Sequence, residues 1–173
     1  MVTKLMRLVT PFPANRGLTL IELMVTLAVA IVILAIGIPA FNAMSARDTS
    51  AATVNALVTA LQQGRVEAIS RAVPVRVTSS NWNEQWAVEW WDAGADTPAW
   101  IVLRQFAAPR PGVTTVSGGA TIGFTHEGLA DPEGVFVVKT YSSSGKLASQ
   151  CVKVRRVVVT AAGQVRLEDG SCP

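Results

Sequence analysis

At 173 residues the chain has room for one domain with its own core and too little for two of ordinary size. Half of the residues are hydrophobic, but the excess is concentrated: Leu18 to Ala40 carries Glu22 as its one charge and only Thr19 and Thr26 as polar side chains. The formal net charge of +3 is accounted for by Lys4, Arg7 and Arg16 ahead of that run, so the remaining charges balance and polyanion binding would have to rest on a local patch.

Taken as a helix, Leu18 to Ala40 extends about 35 Å, enough to cross a hydrocarbon core of about 30 Å. A secretory signal peptide would be shorter and would end in a small-residue cleavage site. Here the pattern continues. Val54, Leu57, Val58, Leu61, Ala68 and Ala72 recur near the spacing of one helical face, with Arg47, Asp48, Thr53, Asn55 and Gln62 on the other. The spacing predicts one long helix over 18–72, membrane-spanning to about residue 40 and packed on a globular domain beyond it. Gly37 and Pro39 interrupt its middle, and a proline withdraws a backbone donor, so a kink or a locally melted stretch is expected there.

The segment Arg16-Gly17-Leu18-Thr19-Leu20-Ile21-Glu22-Leu23-Met24-Val25 resembles the processing and assembly motif of type IV prepilins and type II secretion pseudopilins. The resemblance implies that residues 1–17 are a leader, that a prepilin peptidase cuts between Gly17 and Leu18, and that the new amine is methylated. Leu18 departs from the phenylalanine commoner at that place, a change an apolar position tolerates. Glu22 stands out on physical grounds as well, because a carboxylate in an apolar helix costs several kcal/mol unless paired or protonated. Its nearest partners are the amine of Leu18 one turn away, or the same amine on a neighbouring subunit. The family reading favours the neighbour, with Glu22 selecting the register of assembly; the alternative is an interfacial glutamate with no such role.

After Ala72 the periodicity turns from helical to alternating, with Pro74 as a break. Strands are expected at 75–78, 86–91, 100–106, 121–124, 135–141, 151–154, 157–160 and 165–167. The turns between them are rich in Gly, Asp, Asn, Ser and Pro. Trp86, Val88 and Trp90 alternate with Ala87, Glu89 and Trp91, as in an antiparallel sheet with one buried side. The tryptophans read as core, with a platform for bases or sugars as the alternative. The fold class expected is α+β: a long N-terminal helix packed on a small antiparallel β-domain over residues 73–173.

Cys151 and Cys172 lack CxxC spacing and a nearby histidine, which disfavours zinc and thioredoxin-like chemistry. A disulfide in an oxidising compartment is the better reading, worth about 3 kcal/mol in the chain-entropy model, against two unpaired thiols. The stretch from Leu61 to Arg71, the Ile122-Gly123-Phe124 strand followed by Glu127-Gly128, and the cysteine-bounded closing segment are together similar to the GspH/FimT group of minor pilins and pseudopilins. That group has a pilin-like fold.

Nothing in the chain argues for catalysis. His126 stands in a turn without a serine elbow, paired carboxylates or metal ligands, and Ser117-Gly118-Gly119 and Ser144-Gly145-Lys146 lack the flanks of a phosphate loop. No cofactor or metal is expected. Lys153, Arg155, Arg156 and Arg166 form the most basic stretch after the helix. On an uninterrupted strand Arg155 and Arg156 point to opposite faces, one of them entering the apolar side with Val154 and Val158, unless a bulge exposes both. Some members of the resembling group bind double-stranded DNA through a Gly-Arg-x-Arg motif. The matching residues here are Gly163-Gln164-Val165-Arg166, so only Arg166 carries over, and the alternative is a solvated charged edge.

The resemblance thus implies a minor pilin of a type IV pilus that supports assembly and binds DNA for uptake, or else a minor pseudopilin acting in type II protein export. Its partners would be other pilins or pseudopilins, the prepilin peptidase and methylase, and the inner membrane, crossed once with the C-terminal domain in the periplasm. A tethered binding domain that never polymerises is the remaining alternative, and it predicts an uncut N-terminus.

Overall fold

The computed structural model describes residues 19–111, 113–119, 121–141 and 150–172. The expected leader, the Gly17–Leu18 junction and the Ser144-Gly145-Lys146 turn lie outside the described residues. Helix α1 spans Leu20–Arg71, 52 residues. Its start has a local cause: the Thr19 hydroxyl accepts a hydrogen bond from the backbone N–H of Glu22 at 3.2 Å, satisfying one of the orphan donors of the first turn. Its end is equally local, because Ala72 adopts a left-handed φ of 54° and Pro74 follows. The helix is continuous through Gly37 and Pro39, so the melted stretch expected there is absent. Proline withdraws one backbone donor, and the helix of 52 residues runs on past it.

The chain divides into two units, Met1–Ile38 and Pro39–Pro173. In the first, every described side chain is exposed, with Leu20 at 78% and Ile36 at 69%. In the second, α1 buries Val54, Leu57, Ala60, Leu61 and Ala68 among the strands. Gly64 sits on this face, and a Cβ there would lie 3.0 Å from Val77 Cγ2 and 3.3 Å from the Phe124 ring. The missing side chain lets the helix backbone approach the sheet closely.

Among the described residues nine strands follow: β1 Val75–Thr78, β2 Trp86–Asp92, β3 Ala99–Phe106, β4 Thr114–Ser117, β5 Ile122–Phe124, β6 Ala130–Asp131, β7 Gly134–Tyr141, β8 Cys151–Val159 and β9 Val165–Gly170. They form two antiparallel sheets, ordered β3-β2-β1-β5-β6 and β4-β7-β8-β9. Val75, Val77, Trp86, Val88, Ile122 and Phe124 of the first sheet share one buried cluster with Val116, Phe136, Val138, Val157 and Val159 of the second. Trp82 bridges them, its ring 4.6 Å from that of Phe136 and its Nε1 donating to the Gly119 carbonyl at 2.9 Å. Trp82 and Trp86 are therefore core. Trp90, Trp91 and Trp100 are half-buried, with the Arg76 guanidinium 4.1 Å from the Trp100 ring centre.

Three strand assignments differ from expectation. β4 and β6 were not anticipated: Thr114-Thr115-Val116-Ser117 lacks an apolar alternation, and β6 has two residues. The segments 151–154 and 157–160 are one strand, β8, because it lies between β7 and β9 and both ladders run past Arg155 and Arg156. The two sheets meet at a corner where Ala130 N–H donates to the Ala161 carbonyl at 2.9 Å.

Candidate functional site

Glu22 is exposed in the first turn of α1, ringed by exposed Leu20, Ile21, Leu23 and Met24. Thr19 and Glu22 have the spacing of a capping box, a signal present in the sequence that the family motif overshadowed. The first turn also places the carboxylate where the helix dipole favours negative charge. Gly17 and Leu18, the expected cleavage and methylation positions, lie outside the described residues. The apolar stretch of α1 is long enough to cross a membrane.

The four cations of the C-terminal region do not form one patch. Cross-strand partners share a face, and the register pairs Arg155 with Val138 and with Asp169, whereas Arg156 pairs with Glu168 and Val158 with Arg166. β8 is uninterrupted there, so no bulge exposes both arginines. Lys153 and Arg155 therefore lie on the helix-facing side, with Val157 and Val159 rather than with Val154 and Val158. Arg156 and Arg166 lie on the outward side with Glu168. Arg166 donates to Gln164 Oε1 at 3.0 Å, and Lys153 stands 3.7 Å from Asp169.

Gly163, which opens the expected DNA motif, has a part in the fold. It adopts a φ of 70°, its N–H donates to the Thr160 carbonyl at 2.7 Å, and it packs on Gly128, itself at a φ of 80°. Arg65 of α1 reaches this junction and donates from Nε to the Gly128 carbonyl at 3.0 Å.

Cys151 and Cys172 are disulfide-bonded, with Cα atoms 5.8 Å apart across a sequence separation of 21. The bond ties the chain end beyond β9 to the start of β8. Gly170 then lies over Val154, where a Cβ would stand 2.8 Å from Val154 Cγ1, and this covers Val154 to 4% exposure although it points outward. His126 is exposed, its Nε2 3.9 Å from Glu127 Oε1. Among the described residues no group of three or more His, Cys, Asp or Glu side chains stands close enough together to hold a metal ion.

The family model described as type II transport protein GspH matches residues 53–163. Among solved structures, the type IV minor pilin FimU of Pseudomonas aeruginosa is similar at a TM-score of 0.54 and 20% identity, over 70% of this chain and 90% of that one. The minor pseudopilin EpsH from the Type 2 Secretion System of Vibrio cholerae is similar at a TM-score of 0.50 and 13% identity, over 74% of this chain and 97% of that one. At these identities the likeness is one of fold. No curated protein sequence matches the chain.

Proposed function

From the premise that the chain belongs to the GspH family of minor pilins and pseudopilins, we propose that it is a minor pilin of a type IV pilus, held in the inner membrane by α1 before it enters the filament. The observation that carries this reading is the division of labour along one helix. The described residues up to Ile38 are exposed and, apart from Thr19, Glu22 and Thr26, apolar, which in water would be a liability, while one face of the later part is buried against the strands. An exposed apolar helix needs either lipid or the helices of other subunits around it, and a pilin meets both in turn.

The leader is cut between Gly17 and Leu18, and Glu22 pairs with the methylated amine of a neighbouring subunit. Lys4, Arg7 and Arg16 precede the span, and basic flanks remain cytoplasmic, so the β-domain faces the periplasm. A disulfide suits that compartment. The role is structural, with the chain a substrate of the peptidase and methylase.

DNA uptake enters this reading in a narrower form than a four-residue patch. Arg156 and Arg166 share the outward face of β8 and β9 and are the pair available to a duplex. Binding should weaken steeply with salt, and loss of one phosphate contact should lower the salt slope by about one.

The match to the type II transport protein GspH and the likeness to EpsH favour a second reading, a minor pseudopilin acting in protein export. A deletion strain assayed in parallel for surface pili, transformation and protein secretion separates the two. Loss of pili with secretion intact is the result expected. Loss of secretion with pili intact would transfer the chain to the export machinery. Mass spectrometry of the mature chain should give an N-terminal methylated Leu18.

A further inference from the structure

Tertiary structure builds a basic pocket that no local stretch of sequence announces. It is lined by Arg47 and Ser50 of α1, Thr140 of β7, and Val152, Lys153 and Arg155 of β8, and has a volume of about 340 Å³. Arg155 enters on the helix-facing side, and its Nε is buried without a hydrogen-bond partner among the described residues. A buried guanidinium N–H with no acceptor is costly, and a planar fork of donors is best met by the oxygens of a phosphate or carboxylate. The cross-strand carboxylate does not meet that need, because Asp169 makes its ion pair with Lys153 at 3.7 Å and its side chain is 79% exposed. The Thr140 hydroxyl donates to Ser50, which leaves the Ser50 hydroxyl hydrogen as a further donor.

The position along α1 indicates which anion. The helical rise from Ala40 to Arg47 is about 10 Å, and the headgroup layer beyond the hydrocarbon core is roughly 5–8 Å thick. Helical side chains lean toward the N-terminus, which brings the Arg47 guanidinium back to headgroup depth. We propose that this pocket binds the phosphate group of an anionic phospholipid headgroup, with Arg155 and Arg47 as its principal donors. Arg156 and Arg166, on the opposite face, take no part. The proposal rests on α1 crossing a bilayer, as in the function proposed above.

The test uses the full chain reconstituted in vesicles of phosphatidylcholine, with and without phosphatidylglycerol, and native mass spectrometry of lipid retained after detergent extraction. Phosphatidylglycerol should be retained over phosphatidylcholine, and Arg155→Gln and Arg47→Gln should each reduce its retention about fivefold while Arg156→Gln leaves it unchanged. Arg47 is exposed, so Arg47→Gln carries the test should Arg155→Gln fail to fold. No lipid preference, or an equal fall in Arg156→Gln, overturns the proposal.

Calorimetry on the detergent-solubilised chain separates the sources of phosphate. Short-chain phosphatidylglycerol should bind at least about tenfold tighter than inorganic phosphate. Equal binding overturns the lipid assignment, and displacement of lipid by a short DNA duplex overturns it in favour of nucleic acid. A chain that does not float with vesicles at all removes the membrane reading too, whereas one that floats without lipid preference removes this proposal alone.

Discussion

Gly163 and Gly128 touch backbone to backbone: a methyl group on Gly163 would collide with the carbonyl oxygen of Gly128, the same oxygen that accepts the Arg65 hydrogen bond at 3.0 Å. Three distant parts of the chain, the helix and a turn from each sheet, therefore depend on one position lacking a side chain. Gly163→Ala would place a Cβ at a φ of 70° and 2.9 Å from Arg65 Nε. It should cost about 3 kcal/mol. Urea unfolding of the full chain in mild detergent measures it, and a loss below about 1 kcal/mol would show that the junction yields easily.

Gly64 sets the distance between helix and sheet. Gly64→Leu must find room where Val77 Cγ2 and the Phe124 ring already stand 3.0 and 3.3 Å from the position of a Cβ. The gain in helix propensity, about 1 kcal/mol, is smaller than the cost of forcing a side chain into a packed core. A net loss of about 3 kcal/mol is expected by the same measurement, together with faster amide exchange in β1 and β5.

Glu22→Gln keeps the shape of the first turn and its Thr19 cap but removes the charge. If the carboxylate pairs with a neighbouring amine, its entry into sheared filaments should fall about tenfold or more, with membrane insertion and leader cleavage unchanged. Quantitative immunoblots of filament and membrane fractions give both numbers. Equal incorporation of Glu22→Gln and wild type would overturn that pairing.

The double variant Cys151→Ser/Cys172→Ser releases the chain end beyond β9. For a loop closed across a separation of 21 the loss should be about 2–3 kcal/mol, or roughly 8–12 °C in Tm. Val154 should then become accessible, because Gly170 covers it only while the strand is held. Calorimetry with and without reductant checks the first, and amide exchange at β8 the second.

At Arg155-Arg156 the local residue pattern and the strand register disagree. Two adjacent cations among valines look like a break between strands, yet the ladders on both sides of β8 continue past them. An arginine can bury its aliphatic stem while its head finds a polar pocket, so charge alone does not end a strand. β4 is illegible in the sequence for the converse reason. Its Thr114 is 2% exposed, but a threonine pair carries no apolar signal, and β7 alone makes that segment a strand. Strand parity sends Arg155 and Arg156 to opposite faces only if the strand is unbroken between them, and that continuity is set by the ladders to β7 and β9 and not by the local residues.

The amino-acid sequence by itself determined the long helix and its two characters, the alternating strands and the placement of Glu22, since each depends on spacing within a few turns or a few residues. Tertiary structure alone decided that Gly163 belongs to the fold, that Lys153 and Arg155 part from Arg156 and Arg166, and that Arg47 joins Arg155 around one pocket. Those relations join residues far apart in the chain. They exist only once backbone hydrogen bonds have set the register of each strand and buried apolar area has pressed the helix onto the sheets.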